Sequence, residues 1–356
     1  MSWLLYDAYG RPLKSMRLLV TKECNYRCFF CHLEGDPLGA PAVIGSRPPS
    51  LSPADYEVVA EAASAIGIES FKVTGGEPLV RRDIVEVVKA VSTYAPKADL
   101  SMTSNGLLLE RYAERLREAG LRRVNVSIHS LRRERYKFIT GVDGLEKAVR
   151  GLEAAIRAGL KAKVNALVLA GVNEDEVFEL LEFSHKMGAA LQLIELIPVG
   201  MGAKLLRTHK FPLSKIEEKL IDMGAKAETR ELHLRPIYKL PNGATVEIVK
   251  PTSSLFCSGC DRLRLDADGK LSPCINWKGE RVDLLSRIRR AGGRGEAVRE
   301  AVRAMVEANW LRRPYYLPRL GENHIPPRER VAIPKKAADL RVLEELLVQR
   351  GAGGGR

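Results

Sequence analysis

Glutamine is almost missing from this chain of 356 residues: only Gln192 and Gln349 occur. Side-chain amides are avoided, and ionic networks cost less, in proteins that work hot, so the accompanying wealth of Glu, Lys and Arg has the composition of a hot environment. Aromatic residues reach only 6%. No run of 18 uncharged apolar residues exists, and the N-terminus meets Asp7 and Arg11 before any apolar core, so the expectation is a cytoplasmic chain with no membrane span and no secretory signal. Acidic residues are outnumbered, 44 against 57 Lys and Arg, a formal charge of +13 that would suit a polyanionic partner. The excess is spread along the chain and fits solvated helix faces equally well. With 45% hydrophobic and 28% charged residues a disordered or collagen-like chain is excluded. The length suits one large domain or two ordinary ones.

Cysteine is the most informative scarcity. The six cysteines form two triplets, Cys24, Cys28, Cys31 as C-x3-C-x2-C and Cys257, Cys260, Cys274 as C-x2-C-x13-C, with none between them. In a reducing compartment such tight spacing favours metal ligation over disulfides. A structural zinc site takes four ligands and most iron–sulfur clusters take four thiolates, so a triplet leaves one metal position for another group. Closed zinc sites remain the alternative, completed by His32 at the first triplet and by His233 or a distant residue at the second. That alternative would make the chain a zinc-stabilised nucleic-acid-binding protein without catalysis.

Between the triplets, β-branched and apolar runs recur at 17–21, 70–74, 99–103, 123–128, 161–169 and 192–196. Helical periodicity fills 55–66, 83–94, 108–119, 145–158 and 174–187, with Ser52-Pro53 and Asn173 as helix starts. Strand and helix alternate in the rhythm of an α/β chain with parallel strands, six rather than eight. Glycine-rich Thr74-Gly75-Gly76-Glu77-Pro78 ends the second run, where absent side chains let backbone approach a ligand. After Gly200 the rhythm changes. A linker is expected at 200–202 and 208–212, then a helix over 214–223 and short strands near 236–239 and 245–249. Residues from about 287 to 350, rich in Arg and Pro, suggest no function.

C-x3-C-x2-C with Phe30 before its last cysteine, followed about 45 residues later by Gly-Gly-Glu-Pro, resembles the radical S-adenosylmethionine superfamily. The resemblance implies a partial (βα)6 TIM-like barrel whose motifs lie at the C-terminal ends of the strands. It also implies a [4Fe–4S] cluster on Cys24, Cys28 and Cys31, with S-adenosylmethionine on its fourth iron and near Phe30, Gly76, Ser127 and Ile197. The second triplet, with Arg262, Leu263 and Arg264 after Cys260, resembles the GTP 3′,8-cyclase family of molybdenum cofactor biosynthesis over residues 13–274.

That second resemblance implies another [4Fe–4S] cluster, on Cys257, Cys260 and Cys274, in a C-terminal α+β region, and GTP held by Arg17, Lys72, Thr103, Lys163, Arg262, Leu263 and Arg264. The division expected is a barrel over 1–205, an auxiliary-cluster and substrate region over 206–286, and an extension with a glycine-rich tail over 287–356. No side-chain acid or base is required, because the radical does the hard step and the protein orients the nucleotide. The implied partners are GTP, a one-electron reductant and a downstream cyclic pyranopterin monophosphate synthase, with a homodimer as a candidate assembly. A different radical enzyme with an auxiliary cluster, acting on peptide or RNA, is the rival reading.

Four positions depart from the family pattern. Lys72 and Gln192 each stand where Arg is expected, and His129 stands where an acid is expected. Arg356 follows the Gly354-Gly355 pair that in the family enters the active site.

Overall fold

The computed structural model describes residues 4–33, 45, 50–230 and 232–316. β1 (Ser15–Leu19) leads through α1 (Pro53–Ala65) to β2 (Ser70–Thr74), α2 (Ile84–Tyr94), β3 (Asp99–Ser104), α3 (Leu109–Glu118) and β4 (Arg123–Ser127). Then follow α4 (Arg133–Thr140), α5 (Leu145–Arg157), β5 (Lys161–Leu167), α6 (Val177–Lys186), β6 (Ala190–Ile194), α7 (Gly202–His209) and α8 (Ser214–Asp222). The remainder is β7 (Lys226–Arg230), β8 (Arg235–Lys239), β9 (Thr245–Val249), α9 (Ser254–Ser258), β10 (Arg262–Leu265), β11 (Lys270–Ser272), β12 (Val282–Asp283), α10 (Leu284–Arg290) and α11 (Arg294–Trp310).

All twelve strands share one sheet, ordered β12-β11-β10-β1-β2-β3-β4-β5-β6-β9-β8-β7. From β10 to β9 every neighbouring pair is parallel. The C-terminal strands do not form a sheet of their own. β10 extends the barrel beside β1 and β9 extends it beside β6, and these two edges are not paired with each other, so the barrel stays open.

Side chains alternate across this sheet. Leu18, Phe71, Val73, Met102, Val124, Val126, Val164, Leu191, Val246 and Leu263 point outward into a core completed by the helices, all essentially buried. Fully burying one such side chain is worth about 1.5–3 kcal/mol. The intervening residues, Arg17, Lys72, Ser101, Asn125, Asn165, Gln192, Glu247 and Arg264, point inward. An ordinary parallel sheet is apolar on both faces. This one keeps its interior polar.

Local signals explain most boundaries. Ser52 and Asp55 form a reciprocal capping box with Pro53 in the first turn of α1. Between the linker pieces expected at 200–202 and 208–212 lies α7, which takes in Gly202, Thr208 and His209 and which sequence periodicity did not reveal because only Leu205 and Leu206 anchor it. α4, α9, α10 and α11 were equally unforeseen. α11 packs against α1 by burying Ala297, Ala301, Val302, Ala304, Met305 and Ala308, and Arg294 at its start bridges Glu57 and Glu61 while stacking 4.2 Å from the Tyr94 ring centre. Its core is mostly alanine, a weak hydrophobic signal. The glycine tail and the final arginine lie outside the described residues.

Candidate active site

The first triplet sits on the loop that leaves β1. The Cys24 sulfur accepts the Tyr26 backbone N–H and the Cys31 sulfur accepts that of Leu33, both at 3.4 Å, and the Cys31 N–H donates to the Cys28 carbonyl at 3.1 Å. Backbone donors aimed at sulfur suit thiolates better than thiols. Burial pushes the Cys24 thiol up to about 12 and raises Cys28 and Cys31 as well, so their thiolates require a cationic centre to form. Among the described residues no group of His, Cys, Asp or Glu converges on a single ion. Three open thiol donors fit a cluster with one iron to spare.

Gly75 and Gly76 have a structural role beside the ligand approach expected of them. A Cβ on Gly76 would meet the Glu23 carbonyl oxygen at 2.0 Å, and one on Gly75 would meet that of Thr21 at 2.4 Å. The Gly76 and Glu77 N–H groups donate to Thr21 and Glu23, both at 2.8 Å. The glycines therefore clamp the end of β2 to the root of the cysteine loop. Glu77 is buried and accepts from Leu79 N–H, Ser104 Oγ and Asn105 N–H; burial pushes it up to about 7 while those donors pull the other way.

Phe30 packs edge-on to His129 at 4.9 Å, near a small apolar cluster of Leu167, Leu169 and Leu196. His129 accepts the Leu167 N–H at 3.1 Å, and burial holds it down at about 4, so it is a neutral structural acceptor. Ser127 ends β4 in register with Asn165. Ile197 lies beyond the end of β6 and is half-buried, outside the main core.

The inner face of the barrel gathers cations. Arg17 stands in register with Arg264 on one side and Lys72 on the other. Burial and the Arg262 charge bring Arg17 down to about 9; burial and Arg17 do the same to Arg264. Lys72 is depressed well below an ordinary lysine by burial and by Arg17, Arg123, Lys163 and Arg235. A polar chain continues from it: Lys72 Nζ donates to Asn125 at 3.3 Å, Asn125 to Asn165 at 3.0 Å, and Gln192 to the same Asn165 oxygen at 3.0 Å. Thr103 is in register with Asn125, on this face of β3. Leu263 differs from its neighbours: its side chain is in the core, so only its backbone faces the interior.

Sequence reasoning missed three members of this face. Arg235 donates to Gln192 at 3.3 Å and lies 3.6 Å from Glu247, while Arg230 and Lys163 reach Glu247 at 2.8 and 2.9 Å. β8 thus delivers the arginine that β6 lacks, which resolves the departure at Gln192. Glu247 is the acid that gathers them. Burial would raise it, but Arg235, Lys163 and Arg230 hold it at about 2. Strand periodicity could have put Arg235 and Glu247 on one face; the antiparallel pairing that brings them to β6 is visible only in three dimensions.

The second triplet lies at the other edge, on α9 and after β11. Ser253 caps the helix that carries Cys257. Behind it, Arg11 donates to the Cys257 carbonyl at 2.9 Å and Arg312 to the Cys260 carbonyl, while Asp7 bonds Arg11 at 2.8 Å and lies 3.7 Å from Arg312. All three are almost fully buried. Two cations with one carboxylate leave net positive charge behind the cysteines. Burial raises Cys257, and the backbone N–H groups of Tyr315 and Tyr316 oppose it, so the segment after α11 also reaches this sulfur. His233 stacks flat on Phe256 at 3.8 Å with its Nδ1 on the Phe256 carbonyl, and carries a left-handed backbone, φ 62°.

Comparison with known proteins agrees with this geometry. Residues 18–184 match the model of the radical SAM superfamily and residues 189–316 that of the molybdenum cofactor synthesis C-terminal region. A probable GTP 3′,8-cyclase of Aeropyrum pernix is 46% identical over 324 residues, covering 91% of this chain and 90% of that protein. One from Thermococcus kodakarensis is 41% identical over 319 residues, 88% of this chain and all of that protein. Among solved structures, Streptococcus suis SuiB bound to S-adenosylmethionine superposes with a TM-score of 0.60 at 16% identity, over 77% of this chain and 64% of its own. The native anSMEcpe structure with bound AdoMet gives 0.51 at 16% identity, over 76% and 77%. At such identities these two speak for the fold alone.

Proposed function

Because this chain belongs to the GTP 3′,8-cyclase family of radical S-adenosylmethionine enzymes, we propose that its cationic barrel interior holds GTP between two three-cysteine clusters and cyclises it to 3′,8-cyclo-7,8-dihydro-GTP. The carrying observation is the inner face itself: Lys163, Arg230 and Arg235 surround Glu247, and Arg17, Lys72, Arg262 and Arg264 stand on the same face and depress one another or are depressed by their neighbours. Buried cations that depress one another are a site built for a polyanion, and a triphosphate supplies the missing charge.

In this reading Cys24, Cys28 and Cys31 hold one [4Fe–4S] cluster, and Phe30, Gly76, Ser127 and Ile197 border S-adenosylmethionine on its open iron. Cys257, Cys260 and Cys274 hold a second cluster whose open iron faces the base. Together with S-adenosylmethionine the first cluster supplies, when bound, the radical that takes a hydrogen from the ribose. The chain does the rest. Arg17, Arg262 and Arg264 fork onto phosphate oxygens, Lys72 and Lys163 add point charges, and Thr103 and the backbone at Leu263 complete the binding. Glu247 keeps Lys163, Arg230 and Arg235 charged and separated until the nucleotide arrives. The apolar surroundings of Phe30 exclude water from the radical step.

The regions 1–205, 206–286 and 287–356 then divide into barrel, auxiliary-cluster part and extension. No helix among the described residues is long and apolar enough to cross a membrane. A cytoplasmic homodimer, supplied by a one-electron reductant and followed by cyclic pyranopterin monophosphate synthase, completes the reading.

The test is anaerobic turnover with GTP deuterated at C3′. Deuterium in the released 5′-deoxyadenosine is the expected result. Unlabelled 5′-deoxyadenosine would keep the radical chemistry and discard GTP as its target, and none at all from fully loaded protein would discard both.

A further inference from the structure

The outer side of the first cysteine loop carries features that substrate binding does not use. Phe138 on α4 is 67% exposed, an unusual position for so large an apolar side chain, and its ring lies 5.3 Å from that of Phe29, the residue next to Cys28. The contact is fixed by backbone: Phe29 N–H donates to the Ile139 carbonyl at 3.3 Å and Arg27 N–H to that of Thr140 at 2.8 Å. On the opposite flank His209 of α7 lies 6.1 Å from Phe29, and Met201, 38% exposed, donates its N–H to the Cys31 carbonyl at 2.9 Å. The cysteine loop is therefore gripped by α4 and the start of α7, with Phe138 and Met201 uncovered beside it.

Among the described residues the charge beside this patch is predominantly positive, and Asp143, just beyond it, is engaged by Arg133. Residues 24–33, 137–142 and 200–210 contain Arg27, Lys137, Lys204, Arg207 and Lys210 and no Asp or Glu, and all five cations are exposed. Glu134, one turn earlier on α4, is the nearest acid along that helix; Asp175 and Glu179 are engaged by Arg132 and Arg135. An exposed apolar centre with a charged rim marks a docking site rather than ordinary surface.

We propose that this surface docks a small acidic electron-carrier protein that reduces the first cluster. The inference rests on the reading of Cys24, Cys28 and Cys31 as cluster ligands. One electron leaves the carrier's reduced flavin or iron–sulfur centre and enters the cluster, which passes from its 2+ to its 1+ state; no bond or proton moves. The complementary charge gives fast, salt-sensitive encounter, and the few apolar side chains suit the small, weak interfaces of electron-transfer pairs.

The experiment compares two reductants on the cluster-loaded, full-length protein, a reduced acidic flavodoxin and dithionite, following cluster reduction by stopped-flow absorbance. In a Lys137→Glu/Lys204→Glu/Arg207→Glu variant, and separately in Phe138→Ser, the flavodoxin rate should fall about tenfold or more at low salt, and the charge variant should lose its salt dependence. Dithionite needs no docking surface, so its rate and the 5′-deoxyadenosine it supports should stay at wild-type levels. A flavodoxin rate that neither variant changes would overturn the proposal. So would an unchanged rate with loss of salt-sensitive binding to a short RNA, which would assign the surface to nucleic acid. A Cys24→Ala/Cys28→Ala/Cys31→Ala variant that still loads the full iron of the parent would sink the cluster reading itself, a distinct outcome.

Discussion

The two cysteine triplets offer the same three sulfur donors in different packing. The first lies among Phe29, Phe30, Leu167, Leu169 and Leu196, next to a neutral His129, with an uncovered outer side. The second lies against buried Arg11 and Arg312 at its back, with Arg17 and Arg264 near its sulfurs. Spacing of ligands selects the metal centre, and what surrounds the ligands selects its task. An apolar, water-poor setting suits radical generation. A setting of fixed positive charge suits a centre that holds an anionic substrate and carries negative charge of its own.

The largest effect should come from breaking each site in turn. Cys28→Ala should abolish 5′-deoxyadenosine release altogether. Cys274→Ala should leave that release measurable while eliminating the cyclised nucleotide and cutting iron from about eight to about four per chain. Loss of 5′-deoxyadenosine from both variants alike, in protein that retains its first cluster, would erase the functional difference drawn between the triplets.

Next in size is the support behind the second triplet. Arg312 is 1% exposed and donates to Pro12 and Cys260 carbonyls and to Asn309 Oδ1, so Arg312→Met leaves acceptors and Asp7 short of a partner. Breaking such a buried network costs about 3–5 kcal/mol. In a chain of this size that lowers the melting temperature by roughly 4–7 °C, read by calorimetry. Iron should be lost from the second site first. An effect of comparable size follows at the substrate: Arg262→Ala with Arg264→Ala should weaken GTP binding by about 3–6 kcal/mol in total, at about 1.5–3 for each charged hydrogen-bonding group. Cluster spectra should remain those of the parent, and equilibrium binding by calorimetry gives the answer.

Much of this difference was legible in the chain, and the illegible part has physical causes. Both triplets and the parallel strands follow from spacing and periodicity, while Arg17, Lys72, Lys163, Arg262 and Arg264 follow from the resemblance to the family. Arg235 and Glu247 escaped because their meeting with Gln192 depends on β8 and β9 joining the far edge of the sheet, a pairing between distant segments. Arg11 and Arg312 escaped for the same reason; they are separated by 300 residues in sequence and meet only where α11 ends. α11 itself is helical through alanine packing, which a hydrophobic pattern barely registers. At Gly75 and Gly76 the sequence shows that a backbone must come close and not which one: the space a Cβ would need is taken by Thr21 and Glu23.

The finest contrast is in protons. On the substrate side Lys72 faces Arg17, Arg123, Lys163 and Arg235 with Asn125 as its hydrogen-bond acceptor, and burial with those charges depresses it well below an ordinary lysine. A bound triphosphate favours the charged ammonium and raises it again. GTP therefore binds more tightly to the protonated form, and binding takes up a proton wherever the pH lies between the free and the bound values of Lys72. Above about pH 7.5, clear of a phosphate's second ionisation near 6, affinity should fall as pH rises, by at most about tenfold per unit. Calorimetry in two buffers of different ionisation enthalpy measures the uptake directly, and Lys72→Gln should abolish it while weakening binding at every pH. Proton uptake that persists in that variant would move the titrating group elsewhere on the inner face, and uptake absent from the parent would mean that the neighbouring cations do not depress Lys72 enough to matter.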